Sequence, residues 1–330
     1  MKRFIKKAIA AALATAMIFS LTACGNEEEG KTKVRVAYFP NITHAQALVM
    51  KNQKTLEKKW QNRADVSWTS FNAGPAEMEA IFAGEIDLGY IGPVPALSAN
   101  VKSNGDVKII SNTTDAGSVL LKRKGTDIAT VKDLAGKKIA VPQIGNTQHL
   151  ILLHVLEENG LKTTDKGGDV TINASSNADI LNLIDNGSVD AALVPEPWGT
   201  TIEKSGNAEI LLDENDVFMN GDYPVAVVVA SKDFIEAHPD LVKEFLQAHE
   251  DASLYINEHG KEAQQTVNTE IKEATGKSLD DDVIESAFQR MKINTKLNTK
   301  TILEFARISN DEGLINKIPE EHDVFTTQFD

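Results

Sequence analysis

From Val34 onward, short apolar runs alternate with longer segments in which apolar residues recur at helical spacing. This alternation is typical of strands and helices that follow one another in α/β order. The predicted strands cover residues 34–39, 66–71, 88–91, 107–111, 138–142, 170–174, 191–194 and 225–230.

A weak internal repeat relates the two halves of this pattern at an offset of about 100 residues. The stretch 71–75 leads through an amphipathic segment to 84–87, a strand and a Gly-Pro turn. The stretch 172–176 leads in the same way to 187–190, a strand and Pro-Glu-Pro. Likewise, Asn-Ile-Thr-His at 41–44 is echoed by Asn-Thr-Gln-His at 146–149. Solenoid repeats are far shorter, about 20 to 50 residues. The repeat therefore predicts two similar α/β lobes with a cleft between them.

The chain after residue 230 is predicted to be almost wholly helical. Three apolar stripes mark the helices, and Pro239 begins the first of them. The stripes comprise Leu241, Phe245, Ala248, Ala252 and Tyr255, then Val283, Ile284, Phe288 and Met291, then Ile302, Phe305 and Ile308. We expect these helices to pack on the first lobe, which gives a discontinuous lobe 1 of residues 33–115 and 231–330 and a lobe 2 of residues 116–230.

The first residues have the composition of a secretory signal peptide. A basic cluster at 2–7 precedes an apolar run over 8–21 that is too short to span a bilayer comfortably. The run ends in Leu-Thr-Ala-Cys-Gly, which resembles the bacterial lipobox. We predict a signal peptide over 1–23, lipidation of Cys24, and a polar, flexible tether over 24–32. Simple cleavage after Ala23 and an uncleaved signal anchor are the alternatives.

The charge and cysteine content narrow the possible partners. Removing residues 1–23 removes four positive charges, so the net charge of −14 becomes −14 − 4 = −18. Such an acidic chain is not expected to bind nucleic acid. Cys24 is the only cysteine, so neither disulfides nor thiol catalysis is expected in the folded body.

Loops that follow the predicted strands are the expected place for a ligand, because open α/β sheets bind at the carboxyl ends of their strands. Three such loops are small polar turns that open a helix, and free backbone N–H groups at a helix start attract anions. The candidates in these turns are Asn41 and His44, Gly74 and Pro75, and Asn146, Thr147, Gln148 and His149. Ordinary helix capping is the alternative for each turn.

A fourth loop and a proline-rich turn supply possible walls for the cleft. Tyr90, Ile91 and Gly92 precede two prolines and predict a rigid wall, while Trp198 is placed opposite, with buried packing as its alternative. Glu196 would repel an anion unless it binds an ammonium group or forms a salt bridge between lobes.

Enzymatic and metal chemistry find little support in the motifs. The sequence contains no Gly-x-Ser-x-Gly elbow, phosphate-binding loop or dinucleotide fingerprint. Its seven histidines show no metal-binding spacing. We therefore expect no catalytic residue, no metal and no cofactor.

Over residues 34–310 the chain resembles the substrate-binding proteins of nitrate, sulfonate and taurine ABC importers. The resemblance rests on the opening at 34–44, on Phe-Asn-Ala-Gly-Pro at 71–75, on the stretch 84–93, on 133–137 and 142–148, and on Pro-Glu-Pro-Trp at 195–198. It implies a type II periplasmic-binding fold, in which two lobes close on a ligand held by the loops 41–44, 74–76, 90–93, 145–149 and 196–198.

The resemblance also implies a function and partners. The protein would bind a small organic anion, such as an aliphatic sulfonate or taurine, or it would bind nitrate. It would act as a monomer that is anchored by lipid to the extracytoplasmic face of the membrane. It would deliver that solute to a permease with its ATPase. A thiamine-pyrimidine precursor is the alternative ligand, a sensor is the alternative partner, and an extracytoplasmic enzyme is the alternative class.

Overall fold

The computed structural model describes residues 30–326 and 328–329. The predicted signal peptide, Cys24 and most of the predicted tether lie outside the described residues. In the described part, the chain forms two β-sheets, each flanked by helices.

The first sheet has the strand order β11-β4-β10-β3-β1-β2. Strand β1 pairs in parallel with β2 and β3, whereas β10 runs antiparallel to β3 and β4, and β11 runs antiparallel to β4. The bounds are β1 Thr32–Tyr38, β2 Ala64–Ser70, β3 Leu88–Ile91, β4 Val107–Ala116, β10 Pro224–Ser231 and β11 Met291–Ile293.

The second sheet has the strand order β7-β6-β8-β5-β9. Strand β6 is parallel to β7 and β8, whereas β5 is antiparallel to β8 and β9. The bounds are β5 Ser118–Arg123, β6 Lys138–Val141, β7 Thr171–Ala174, β8 Ala191–Pro195 and β9 Ala208–Leu212. Its central strand β8 is buried along its whole length, which explains its continuous apolar sequence.

Helices connect the strands of each sheet and then form the carboxyl-terminal part. They are α1 Ala45–Gln53, α2 Thr55–Trp60, α3 Gly74–Phe82, α4 Pro93–Lys102, α5 Thr147–Glu158, α6 Asn177–Asp185, α7 Trp198–Lys204, α8 Lys232–Ala237, α9 Pro239–Glu258, α10 Gly260–Thr275, α11 Asp281–Gln289, α12 Thr299–Asp311 and α13 Glu321–Val324. Short 3₁₀ helices span Ile42–His44, Val131–Leu134, Thr164–Lys166 and Met219–Gly221.

All eight predicted strands occur in the structure, with ends displaced by one or two residues except at β4, which continues to Ala116. The sequence pattern missed β5, β9 and β11. Strand β9 is only partly buried and β11 is three residues long, so neither produces a long apolar run. The run in β5 is only three residues, 119–121, before two basic residues.

The predicted stripes of the carboxyl-terminal helices contain one error. Helix α11 ends at Gln289, and Met291 begins β11 instead of continuing the helix. The packing is also broader than expected. Helices α9 and α10 pack on α1 beside the first sheet, but α11 packs on α7, and α12 packs on α4 and α5. Helices α11 and α12 together therefore contact elements attached to both sheets.

The chain passes between the sheets twice. Strand β4 leads into β5 through Gly117, and residues 213–223 lead from β9 back to β10. The exact boundaries of the two lobes stay a prediction. No helix in the described part of the chain is long and apolar enough to cross a membrane.

Phe305 of α12 tests whether the carboxyl-terminal helices are integral to the fold. Its ring is fully buried and stacks on Phe218 at 4.9 Å between ring centroids. Phe305→Ala should lower the free energy of unfolding by about 3–5 kcal/mol, measured by urea denaturation. Phe82→Ala is the control, because Phe82 is 41% exposed and its loss should change stability by less than about 0.5 kcal/mol. Equal losses in the two variants would contradict this packing.

Candidate functional site

A cavity of about 540 Å³ lies between loops that follow strands of both sheets. Loops after β1, β2 and β3 form one side, and loops after β6, β7 and β8 form the other. This position agrees with the rule that ligands bind at the carboxyl ends of strands in open α/β sheets.

Eight of the predicted site residues line this cavity. They are Asn41, His44, Gly74, Gly92, Asn146, Thr147, Gln148 and Trp198. Five others, Pro75, Tyr90, Ile91, His149 and Glu196, lie behind or beside the lining.

Sequence reasoning missed several lining residues. Ser176, Asn177 and Ala178 open α6, and Ser176 corresponds to the Asn-Ala-Gly-Pro turn in the internal repeat, which could have identified it. Val225 on β10 and Ala274 at the end of α10 also contribute. Nothing in the local sequence distinguishes these two positions from ordinary buried or helical residues.

The internal repeat reappears as two similar turns on opposite sides of the cavity. Asn41 Oδ1 accepts a hydrogen bond from the Thr43 N–H at 3.1 Å, and Asn146 Oδ1 accepts one from the His149 N–H at 2.8 Å. The Phe39 N–H donates to His44 Nδ1 at 3.1 Å, and the Gly145 N–H donates to His149 Nδ1 at 3.1 Å. Both rings are thus accepting at Nδ1, which assigns the proton of each neutral imidazole to Nε2.

Burial keeps both histidines uncharged. It lowers the pKa of His44 from 6.5 to about 3 and that of His149 to about 4. His44 therefore offers the cavity a neutral N–H donor at Nε2 rather than a positive charge.

Two further sets of donors belong to the cavity lining and make no side-chain hydrogen bond to a described residue. Thr147 is 2% exposed, and its Oγ1 makes no hydrogen bond within the described structure. Helix α3 begins after Ala73, which supplies no side-chain cap, so N–H groups of its first turn are free. Pro75 occupies the first turn of this helix, where its missing N–H costs nothing.

Gly92 allows the two sides of the cavity to approach closely. A Cβ at this position would lie 2.4 Å from Thr147 Oγ1, far inside van der Waals contact. Thr147 follows β6 of the second sheet, whereas Gly92 follows β3 of the first. The absence of a side chain therefore permits this contact between the two sides.

No Asp, Glu, Lys or Arg side chain among the described residues lines the cavity. Its polar groups are hydroxyls, amides, the neutral His44 and backbone N–H groups, and its apolar surface includes Phe39, Phe71 and Trp198. Such a site is suited to hold a polar ligand through hydrogen bonds and dipoles instead of ion pairs. No group of three or more potential metal-ligating side chains occurs in the part of the chain that the structure describes.

Tyr90 does not form the expected wall of the cavity. It is fully buried behind His44, at 6.1 Å between the two ring centroids, and its hydroxyl donates a hydrogen bond to His249 Nδ1 at 2.8 Å. His249 Nε2 in turn donates a hydrogen bond to the Asn112 carbonyl oxygen at 2.8 Å. Alternate residues of a strand face opposite sides, so Ile91 lies on the other face of the strand from Tyr90. Ile91 is also fully buried, and a Cβ at Gly74 would lie 3.3 Å from its Cγ1.

Glu196 does not reach the cavity either. It is fully buried and pairs with Arg290, whose Nη1 lies 3.0 Å from Glu196 Oε1. Glu196 Oε2 also accepts a hydrogen bond from the Thr200 N–H at 3.0 Å. Burial raises the pKa of Glu196, while the Thr200 N–H and Arg290 act in the opposite direction. Of the two roles left open by the sequence, the structure therefore matches the salt bridge.

Comparison with known proteins places this fold and site in context. A sequence model described as the NMT1-like family matches residues 27–271. The chain belongs to the NMT1-like family. Among the relatives of this NMT1-like chain, the taurine-binding periplasmic protein of Escherichia coli (strain K12) is 32% identical over 56% of this chain and 55% of that protein.

Solved structures confirm the predicted type II periplasmic-binding fold of this NMT1-like protein. The alkanesulfonate-binding protein SsuA from Xanthomonas axonopodis pv. citri, bound to MOPS, superposes with a TM-score of 0.72 at 23% identity, covering 89% of this chain and 98% of that one. The periplasmic aliphatic sulphonate binding protein SsuA from Escherichia coli gives a TM-score of 0.73 at 22% identity, covering 89% and 97%. These relatives also confirm the resemblance described from the sequence.

The buried, neutral His44 makes stability depend on pH. Below about pH 6.5 the unfolded chain takes up a proton here that the folded protein excludes until about pH 3, so the free energy of unfolding falls as the pH is lowered through this range. We expect His44→Gln to reduce the loss of stability between pH 7.5 and pH 5, measured by urea denaturation at each pH.

His322→Gln is the matched control, because the His322 side chain is 83% exposed. It should retain the pH dependence of the wild type. If His44→Gln retained that dependence as well, His44 would not be the neutral buried group described here.

Proposed function

We propose that this protein is the extracytoplasmic solute-binding component of an ABC importer and that it captures a small organic anion, such as an aliphatic sulfonate or taurine, or the inorganic anion nitrate. The observation that carries the proposal is a cavity lined by helix starts and neutral polar groups, with no charged side chain among its described lining residues. The Thr147 hydroxyl, the His44 Nε2–H and the open start of α3 are suited to the oxygens of one anionic headgroup.

The family relationship supports the same role. Relatives of the chain include a taurine-binding periplasmic protein, and proteins that bind aliphatic sulfonates share its fold. The described residues contain no cysteine, so the thiol chemistry required by cysteine-dependent catalysts has no nucleophile in this cavity. We therefore propose binding and delivery of a solute, without turnover.

The proposal includes an attachment and partners. Lipidation of Cys24 would hold the protein, as a monomer, on the outer face of the membrane, with residues 24–32 as a tether. Several acyl chains anchor far better than one. Delivery requires a permease with its ATPase, and the proposed lobes, residues 33–115 with 231–330 and residues 116–230, would close on the solute before it is released to them.

A second ligand class is favoured by the aromatic lining. Phe39, Phe71 and Trp198 could stack on a flat heterocycle such as a thiamine-pyrimidine precursor. The transport role would then remain, but stacking would replace the headgroup contacts as the main source of affinity.

Thermal unfolding of residues 25–330 with a ligand panel tests the proposal. A ligand that binds only the folded state raises the melting temperature, by the equivalent of about 2.7 kcal/mol at 100 times its Kd. We expect a rise with 1-propanesulfonate, taurine or nitrate. A rise with thiamine pyrimidines alone would replace the anion by a heterocycle, and chemical turnover of a bound compound would overturn the binding role.

Thr147 tests which donors hold the headgroup. Because its hydroxyl has no partner in the ligand-free protein, Thr147→Val should leave stability unchanged or slightly higher. The affinity for 1-propanesulfonate should fall about tenfold, the equivalent of about 1.4 kcal/mol, measured by isothermal titration calorimetry. Thr147→Ser keeps the hydroxyl and should bind within about threefold of the wild type. Equal affinity of the Val and wild-type proteins would remove Thr147 from the site.

A further inference from the structure

A buried carboxylate, that of Glu196, lies behind Trp198, one of the aromatic residues that line the cavity. Glu196 follows β8 and precedes α7, which begins at Trp198. Its Oε2 accepts the Thr200 N–H at 3.0 Å, and its own N–H donates to the Gly117 carbonyl at 2.7 Å. The Glu196 carboxylate therefore holds the first turn of α7. The Glu196 backbone is in turn bonded to Gly117, where the chain passes from the first sheet to the second.

The first turn of α7 rests on this carboxylate with no free space. A Cβ at Gly199 would lie 2.3 Å from Val119 Cγ2 and 3.0 Å from Glu196 Oε1. Any displacement of the Glu196 side chain must therefore displace the turn that carries Trp198. Trp198 and the preceding Pro195 both line the cavity.

The cation that neutralises Glu196 comes from the other end of the chain. Arg290 lies between α11 and β11, and β11 pairs with β4 of the first sheet. Its Nη1 contacts Glu196 Oε1 at 3.0 Å, while its Nη2 contacts Glu203 Oε2 at 2.8 Å. A third carboxylate, Glu214 in the segment that leads back to the first sheet, lies 3.8 Å from Arg290 Nε. Arg290 is thus joined to the first sheet, and its two nearest carboxylate partners are joined to the second.

We propose that Arg290 is a positioning residue for ligand binding, which holds Trp198 against the cavity through the Glu196 carboxylate and the first turn of α7. This inference rests on the proposed function, because it assigns a role in the same cavity. Arg290 itself does not line the cavity. Without it, a fully buried carboxylate would lose its counter-charge, and such a charge must protonate, recruit water or move.

A second ion pair between α7 and α11 provides a matched control. Lys204 Nζ lies 2.5 Å from Asp282 Oδ2, and the two side chains are 32% and 69% exposed. Exposed pairs contribute little, and this pair does not touch the turn at Trp198. Loss of Lys204 should therefore leave the cavity unchanged.

The first measurement is the ¹⁹F NMR spectrum of ligand-free protein labelled with 5-fluorotryptophan. The chain has three tryptophans, and Trp198→Phe identifies the resonance of Trp198. Arg290→Met should shift or broaden that resonance and leave those of Trp60 and Trp68 in place, whereas Lys204→Met should alter none. An unchanged Trp198 resonance in Arg290→Met would overturn the proposal.

The second measurement is the affinity for 1-propanesulfonate. Arg290→Met should weaken binding at least tenfold. Arg290→Met combined with Glu196→Gln should restore both the resonance and the affinity to within about threefold, because the amide can still accept the Thr200 N–H and leaves no buried charge at position 196. Failure of this rescue would overturn the route through Glu196.

A comparison of two double variants remains decisive if Arg290→Met alone fails to fold. Glu196→Leu with Arg290→Met removes the acceptor as well as both charges, so it should displace the Trp198 resonance where Glu196→Gln with Arg290→Met does not. Identical spectra of the two double variants would overturn the proposal.

If the wild type bound no compound of the panel, the proposed function would fail separately, because these spectra are recorded without ligand.

Discussion

Parallel pairing of three neighbouring strands in each sheet is the constraint on which the site depends. Strand β1 lies parallel to β2 and β3, and β6 lies parallel to β7 and β8. Parallel neighbours end at the same edge of a sheet, so the loops after these strands must meet there. Because each loop then starts a helix, the edge is rich in backbone N–H groups, and the cavity acquires polarity without any charged side chain.

Desolvation explains why this polarity stays neutral. A charged group inside a buried site needs a partner of opposite charge. Here the Phe39 N–H satisfies His44 Nδ1, and burial lowers the pKa of the ring so that it remains an uncharged donor. Glu196 is the one carboxylate in the predicted ligand-binding set, and Arg290 neutralises it behind the cavity wall. The cavity can therefore present donors to an anion without placing a fixed carboxylate against it.

The carboxyl-terminal helices connect the two sheets as well as covering them. Helix α11 packs on α7, and α12 packs on α4 and α5. The segment between them carries Arg290 and includes β11 of the first sheet. Elements far from the cavity in sequence thus determine how its two sides are held relative to one another.

Local sequence determined most of the fold and about a third of the cavity lining. Short apolar or alternating runs located the eight predicted strands, and the repeat of Asn-x-x-His marked both turns because each forms through hydrogen bonds to near neighbours. Tertiary structure alone decided the rest. Tyr90 is buried because α9 covers it and supplies the His249 partner of its hydroxyl, and the role of Glu196 depended on an arginine 94 residues away. Short-range pattern carries no information on either, because both follow from contacts made only when distant segments pack together.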